Sequence, residues 1–333
     1  MIRILNAEPL GYCDEARQVL RSIGELHEEA LDRDALLTII GDFDVLIVRL
    51  GIQVDREVLE AGHRLRAVVS ATTGLDHIDV DYACEKDIAV LSLQGERDFL
   101  EQVTATAEHN FALLLAVVRK IPQAYESVKQ GEWDRDAFRG YELSGKRLGI
   151  VGLGRLGEKV ARYGQVFEMK VLAYDPYQSC WLDGVVRCAS LDELLRQADI
   201  LSLHVPLNAE TVGMIGRREL ARLPAGAVVI NTARGAVLDS AALVEALESG
   251  HLAGAALDVM EAEHDSAELQ KSPLLAYAKT HSNLLITPHI GGATRESMMK
   301  TEVFMAQKLK QFLQLWLSGW LDGTPSVVSD LRQ

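Results

Sequence analysis

Leu148-Gly149-Ile150-Val151-Gly152-Leu153-Gly154-Arg155-Leu156-Gly157 lies almost halfway along a chain of 333 residues. Leu148–Val151 reads as a buried strand, and the three glycines that follow read as a turn into a helix. The first glycine permits the tight turn, the second lets backbone approach a pyrophosphate, and the third lets helix pack on strand. A helix opened this way presents unpaired N–H groups and its positive dipole end to phosphates. Leu156, Val160, Tyr163 and Phe167 recur at helical spacing. A second strand, Val171-Leu172-Ala173-Tyr174, then runs into Asp175, 18 residues after Gly157. A carboxylate there accepts hydrogen bonds from the adenosine ribose hydroxyls and repels a 2′-phosphate, so the expected cofactor is NAD rather than NADP.

The loop's position matters as much as its spelling. About 150 residues precede it, and they must build something else. Strand candidates Ile2–Asn6, Val45–Arg49, Ala67–Ala71 and Ile88–Leu93 alternate with helical patterns such as Asp14–Ile23 and Arg33–Ile40. Such alternation predicts a parallel sheet with helices on both faces. A long apolar helix is expected over Val103–Lys120, then an irregular stretch, Gly131–Gly145, carrying Trp133, Phe138 and Tyr141. From Leu148 onward, six strands are expected: 148–151, 170–174, Ile200–Val205, Val228–Asn231, Ala255–Val259 and Leu284–Thr287. A final amphipathic helix, Arg295–Leu317, is left over once that sheet is complete and is expected to return to the first domain.

The expected fold is therefore α/β, with two doubly wound parallel-sheet domains and a cleft between them. A discontinuous substrate domain (1–101 with 291–333) would be flavodoxin-like. A Rossmann NAD domain (102–290) would carry an arm at 121–145. Ligands of such sheets bind at the carboxyl ends of the strands.

Composition excludes several classes. Lys and Arg number 34 against 48 Asp and Glu, a net charge of −14 that disfavours nucleic acid and acidic membranes as partners. Cys13, Cys84, Cys180 and Cys188 lack metal-ligand spacing, so no metal is expected and reduced thiols in a cytoplasmic protein are the expectation. The amino terminus lacks a signal-peptide pattern, and no apolar stretch reaches membrane-spanning length.

Three polar signals follow strands of the second domain. Arg234, after Asn231-Thr232-Ala233, offers a planar fork suited to a carboxylate. Glu261 and Glu263 follow Asp258, and composition alone does not choose between them. His289, in Thr287-Pro288-His289-Ile290-Gly291-Gly292, is the best placed of nine histidines for acid–base work near neutral pH. A carboxylate beside that histidine would steady an imidazolium that protonates a ketone, while arginine holds the neighbouring carboxylate.

These residues resemble the D-isomer-specific 2-hydroxyacid dehydrogenases over nearly the whole chain. The likeness runs through Thr73-Gly74-Leu75-Asp76-His77-Ile78-Asp79, Ala107-Glu108-His109, Leu148–Gly157, His204-Val205-Pro206-Leu207, Asn231–Gly235, Gly254–Val259 and Thr287–Gly292. The resemblance implies an NAD-dependent oxidoreductase with Arg234, Glu263 and His289 as catalytic residues. It places Gly152, Gly154, Arg155, Leu156, Gly157, Asp175, Val205, Pro206, Thr211, Thr232, Ala233, Arg234, Asp258, His289 and Gly291, with Thr73, at the cofactor. It places Arg49, Thr72, Thr73, Gly74, Arg234 and His289 at the substrate. Within the family the chain is most similar to D-3-phosphoglycerate dehydrogenases without a regulatory domain. That implies Arg49 on a substrate phosphate, an anionic substrate such as 3-phosphoglycerate, and a homodimer joined by the arm. Another 2-hydroxyacid (glyoxylate, hydroxypyruvate or D-lactate) is the alternative, as is an NAD(H)-sensing corepressor on the same fold. A Rossmann transferase or hydrolase using adenosyl compounds accounts poorly for Arg234 and His289 together. Three stretches depart from the family pattern: His264 where a proline is usual, the region Ser266–Lys279, and the loop Gln94–Leu100.

Overall fold

The computed structural model describes residues 1–263 and 265–317. Expectations for His264 and for the chain beyond 317 lie outside the described residues. The chain forms two compact units, Met1–Val103 with the segment from Thr294 onward, and Thr104–Ala293.

Among the described residues the first unit holds five strands: β1 (Arg3–Asn6), β2 (Glu25–Glu28), β3 (Val45–Val48), β4 (Ala67–Ser70) and β5 (Ala89–Leu91). Their order is β2-β1-β3-β4-β5, all parallel. This is the flavodoxin order, with its switch point between β1 and β3. Every residue of β3, β4 and β5 is buried. That is why these strands read as continuous apolar runs: helices cover both faces of the sheet. One face packs Ile4, Leu20 and Val45 with Leu309, Phe312 and Leu313 of the helix Arg295–Leu317. The other packs Leu5, Leu36, Leu46 and Val68. Strand β2 escaped the sequence reading. Its segment Glu-Leu-His-Glu lies at the sheet edge with Glu25 and His27 exposed and Leu26 and Glu28 half-buried, so its apolar content is slight.

The second unit holds seven parallel strands: β6 (Arg147–Val151), β7 (Lys170–Tyr174), β8 (Val186–Arg187), β9 (Ile200–Leu203), β10 (Ala227–Asn231), β11 (Leu252–Leu257) and β12 (Leu284–Ile286). Their order is β12-β11-β10-β9-β6-β7-β8. This is the 3-2-1-4-5-6 dinucleotide arrangement extended by one strand at the β11 edge. The expected six strands are present. The seventh, β8, is two exposed residues long and carries no apolar signature.

The long helix expected over Val103–Lys120 runs over Ala105–Val118. Lys120 then takes a left-handed conformation (φ 54°), and a separate helix, Ile121–Lys129, starts with Pro122 in its first turn. From Gly131 to Gly145 the chain is irregular apart from one short turn at Asp136–Phe138, and Trp133 and Tyr141 are exposed. Ser266–Lys279 forms two short helices, Ser266–Gln270 and Pro273–Ala278, and the second buries Leu274 and Tyr277 in the core. Among the described residues, no helix is long and apolar enough to cross a membrane.

Candidate active site

The turn after β6 lies at the switch point of the seven-stranded sheet, between β6 and β9. Its three glycines are demanded by different things. Gly152 has φ +89°, and a Cβ there would lie 2.7 Å from the His204 carbonyl oxygen. A Cβ on Gly157 would lie 2.1 Å from the Gly152 oxygen, so that glycine seats the helix on the turn. Gly154 has neither constraint: its φ is −76° and a Cβ would meet nothing within 4 Å. The protein's own packing does not require glycine at 154, whereas a pyrophosphate crossing the open space above it does. Gly154 is also the N-cap of the helix Arg155–Val166 and offers no side chain to its first N–H groups. The residues therefore fit a dinucleotide.

Asp175 does two jobs. Its carboxylate accepts from the backbone N–H of Leu153 (2.8 Å), Tyr177 (2.9 Å) and Gln178 (3.2 Å), which locks the glycine turn to the end of β7. A carboxylate has about four acceptor sites, so one remains for a ribose hydroxyl. Thr232 and Ala233 are buried at the end of β10, and the Thr232 hydroxyl receives the Asn110 amide (3.2 Å). Thr211 donates to the Pro206 carbonyl (2.6 Å) and receives the Asn208 N–H (2.9 Å), closing the loop that Val205 and Pro206 begin. His204 lies beneath the glycine turn with Nε2 2.8 Å from the Ser202 hydroxyl, and burial lowers its pKa to about 4, so it stays neutral.

The candidate catalytic residues are assembled by the ends of β10, β11 and β12. Arg234 follows β10, its Nη1 donating to the Ala233 carbonyl (2.7 Å) and its own carbonyl accepting from Asn231 Nδ2 (2.9 Å). A Cβ on Gly235 would lie 2.1 Å from the Met260 carbonyl carbon. Glycine there lets the loop after β11 lie directly on the Arg234 turn. In that loop Glu263 accepts from the Met260 N–H (3.2 Å) through one oxygen and meets His289 Nδ1 (2.5 Å) through the other. The structure thus brings Glu263, rather than Glu261, to the histidine. Both partners are mostly buried, with 24% and 19% of their side chains exposed.

His289 itself has φ +53°, a left-handed conformation uncommon for residues other than glycine. Asp258 holds it there. That carboxylate is 2% exposed and receives the Thr287 hydroxyl (2.6 Å), the Ile290 N–H (2.9 Å) and the Gly291 N–H (2.7 Å). His109 Nε2 approaches the same carboxylate (3.2 Å), and the Asp258 carbonyl accepts from the His289 N–H (2.9 Å). Oδ1 takes three of these donors and Oδ2 one, so Oδ2 keeps an acceptor position. A Cβ on Gly291 would lie 2.8 Å from Oδ2, so the glycine is required for the pin to close. The outcome is an imidazole held by Glu263 at Nδ1, with Nε2 making no hydrogen bond among the described residues. Among the described residues no cluster of side chains could hold a metal ion.

Residues 111–291 match the model of the D-isomer specific 2-hydroxyacid dehydrogenase NAD-binding domain. The chain belongs to the D-isomer-specific 2-hydroxyacid dehydrogenase family. It is 38% identical over 318 residues to D-3-phosphoglycerate dehydrogenase of Methanocaldococcus jannaschii, covering 94% of this chain and 58% of that one. It is also 38% identical over 297 residues to hydroxypyruvate reductase of Thermotoga maritima, covering 89% and 94%. The chain spans little more than half the length of the phosphoglycerate dehydrogenases it matches. The fold agrees with D-lactate dehydrogenase of Aquifex aeolicus, solved with NAD and lactic acid, at a TM-score of 0.82 and 29% identity, covering 95% and 96%. These family members differ in the substrate each is named for.

The residues expected at the substrate in the first unit sit after β3 and β4. Thr72 donates to the Gly74 carbonyl (2.8 Å) and bonds the Ser70 hydroxyl (2.9 Å), which bonds the buried His77 (3.1 Å); Thr73 is exposed. Arg49 was expected at the end of β3 and lies just beyond it, its backbone N–H drawn to Glu8 (2.5 Å). Its guanidinium is engaged within the unit, donating to the Leu10 carbonyl (2.8 Å) and to Glu302 (2.5 Å). Glu302 and Asn110 carry no signal of their own in the sequence, and His109 stands out only within the motif Ala107-Glu108-His109. Each acts across more than ninety residues of chain, and none has a local pattern to betray it.

Proposed function

We propose that this protein is an NAD-dependent D-2-hydroxyacid dehydrogenase, with the second unit holding the cofactor. The observation that carries the reading is the His289–Glu263 pair, buried, fixed at an unusual backbone angle and open at Nε2. The glycine turn, Asp175 and the ends of β9 and β10 would hold NAD, which when bound would supply the hydride chemistry. His289 Nε2 takes the hydroxyl proton in oxidation and returns a proton to the ketone oxygen in reduction. Glu263 fixes the ring through Nδ1 and balances the imidazolium formed when Nε2 gains the proton. Arg234 binds the substrate carboxylate with its planar fork, which orients the 2-carbon. In the first unit, Arg49 and Thr72–Gly74, at strand carboxyl ends, contribute to recognising the rest of the substrate. The exposed aromatic arm at 121–145 supports a homodimer.

The reading is tested by following NADH loss with glyoxylate, pyruvate, hydroxypyruvate, phosphohydroxypyruvate and 2-ketoglutarate. At least one should turn over, and His289→Asn should lower kcat by about 10²–10⁴-fold with NADH binding retained, the usual worth of a general acid–base. Full activity in His289→Asn, or no turnover of any ketoacid by the wild type, sinks it.

A further inference from the structure

We propose that Glu302 is a specificity-determining residue: by pairing with Arg49 it turns this dehydrogenase away from phosphorylated substrates and toward 2-hydroxyacids whose only charge is the carboxylate. The inference rests on the dehydrogenase reading above.

The argument starts at the switch point of the five-stranded sheet, between β1 and β3, where a doubly wound sheet forms its crevice. Glu8 follows β1 and Arg49 follows β3. Glu8 accepts from the backbone N–H groups of Arg49 (2.5 Å) and Gly51 (2.9 Å), so its carboxylate is fixed at the rim. The Arg49 guanidinium lies over Tyr12 (5.7 Å to the ring centre) and donates to the Leu10 carbonyl and Glu302 Oε1. Glu302 comes from the helix Arg295–Leu317, with only 2% of its side chain exposed; its other oxygen accepts from the Cys13 N–H (2.7 Å).

One nearly buried carboxylate therefore pairs with the guanidinium, and a second, that of Glu8, sits on the backbone beside it, so the Arg49 charge is already balanced from within the unit. A phosphoryl group brings a charge of about −1.5 to −2. To gain Arg49 it must displace Glu302, whose carboxylate would then be buried with a single backbone donor, a costly state. If Glu302 stays, its charge repels the phosphate at close range. A neutral hydroxyl suffers neither penalty, and the Arg49 donors that Leu10 and Glu302 do not use can still reach it. Lone arginines at strand ends serve phosphates well; an arginine already neutralised from within its own unit does not.

The test is the ratio of kcat/KM for phosphohydroxypyruvate to that for hydroxypyruvate, with NADH and the full chain. In the wild type the unphosphorylated substrate should be favoured by tenfold or more. Glu302→Gln keeps the length and the Cys13 contact while removing the charge, and should move the ratio at least tenfold toward the phosphorylated substrate. The double variant Arg49→Gln with Glu302→Gln should lose that gain, which a merely structural role for Glu302 would not produce. Arg49→Gln alone, which leaves the Glu302 charge unbalanced, should not move the ratio toward the phosphorylated substrate, and this holds the proposal to account even if Glu302→Gln fails to fold. A wild-type preference for the phosphorylated ketoacid, an unmoved ratio in folded Glu302→Gln, or a shift of the ratio toward the phosphorylated substrate in Arg49→Gln overturns the proposal and leaves the dehydrogenase reading intact. No turnover of either ketoacid overturns this proposal, and if it extends to the other ketoacids the dehydrogenase reading falls as well.

Discussion

Single residues in this chain separate what the fold needs from what a ligand needs. The glycine turn is the sharpest case. Gly157→Ala would press a methyl group to 2.1 Å from the Gly152 oxygen, a backbone atom that cannot step aside cheaply. Gly154→Ala meets nothing within 4 Å. The two substitutions are chemically identical and should fail differently. Gly157→Ala should lower the unfolding free energy by about 1–3 kcal/mol, the usual cost of overpacking a tight contact. Gly154→Ala should leave the urea midpoint unchanged and weaken NADH binding tenfold or more, read by fluorescence titration. Equal effects of the two on stability would mean that the open space at 154 is not a ligand's.

At the scale of elements, the chemistry rests on a loop that one carboxylate holds shut. Asp258 receives four donors from His109, Thr287, Ile290 and Gly291 and thereby sets the backbone of His289. Asp258→Asn would keep an acceptor at Oδ1 but turn a donor toward the Gly291 N–H. A buried group left unsatisfied costs about 1–3 kcal/mol. The variant should lose that much stability in denaturant titration and also lose tenfold or more in kcat, with the deficit not restored by raising substrate. Loss of stability with unchanged kcat would separate the pin from the chemistry. Interior strands of both sheets were legible in sequence because burial on both faces makes them apolar throughout, as in Val45–Val48 and Ala227–Asn231. Edge strands β2 and β8 were not, since one has a single apolar residue and the other is two residues long. The spacing of Arg234 and His289 after their strands was readable. Composition left Glu261 and Glu263 open and only the resemblance named Glu263, whose contact with His289 depends on the loop conformation; the capture of Arg49 by Glu302 needed a contact 253 residues apart.

For the molecule as a whole, acid is the instructive perturbation. His204 has a pKa lowered from 6.5 to about 4 by burial, so the folded chain stays unprotonated there while the unfolded chain takes up a proton. Above pH 6.5 neither state binds that proton and the group is silent. As pH falls from 6.5 to 4 the unfolded state gains it first, so stability drops across that window, by about 3 kcal/mol at the most. The difference in unfolding free energy between wild type and His204→Gln should therefore move in favour of the variant as pH falls from 7 to 4.5; a constant difference would refute the assignment. The route by which the first unit closes its core has a further consequence, during synthesis. Phe312, Leu309 and Glu302 complete a core and an ion pair whose other halves, Ile4, Val45 and Arg49, are made near the start. A ribosome adds roughly 5–20 residues per second. The amino-terminal sheet must therefore wait, on the order of ten seconds or more, with one face uncovered while all of Thr104–Ala293 emerges. The cell's chaperones would meet this protein with an unfinished, sticky sheet at its amino end.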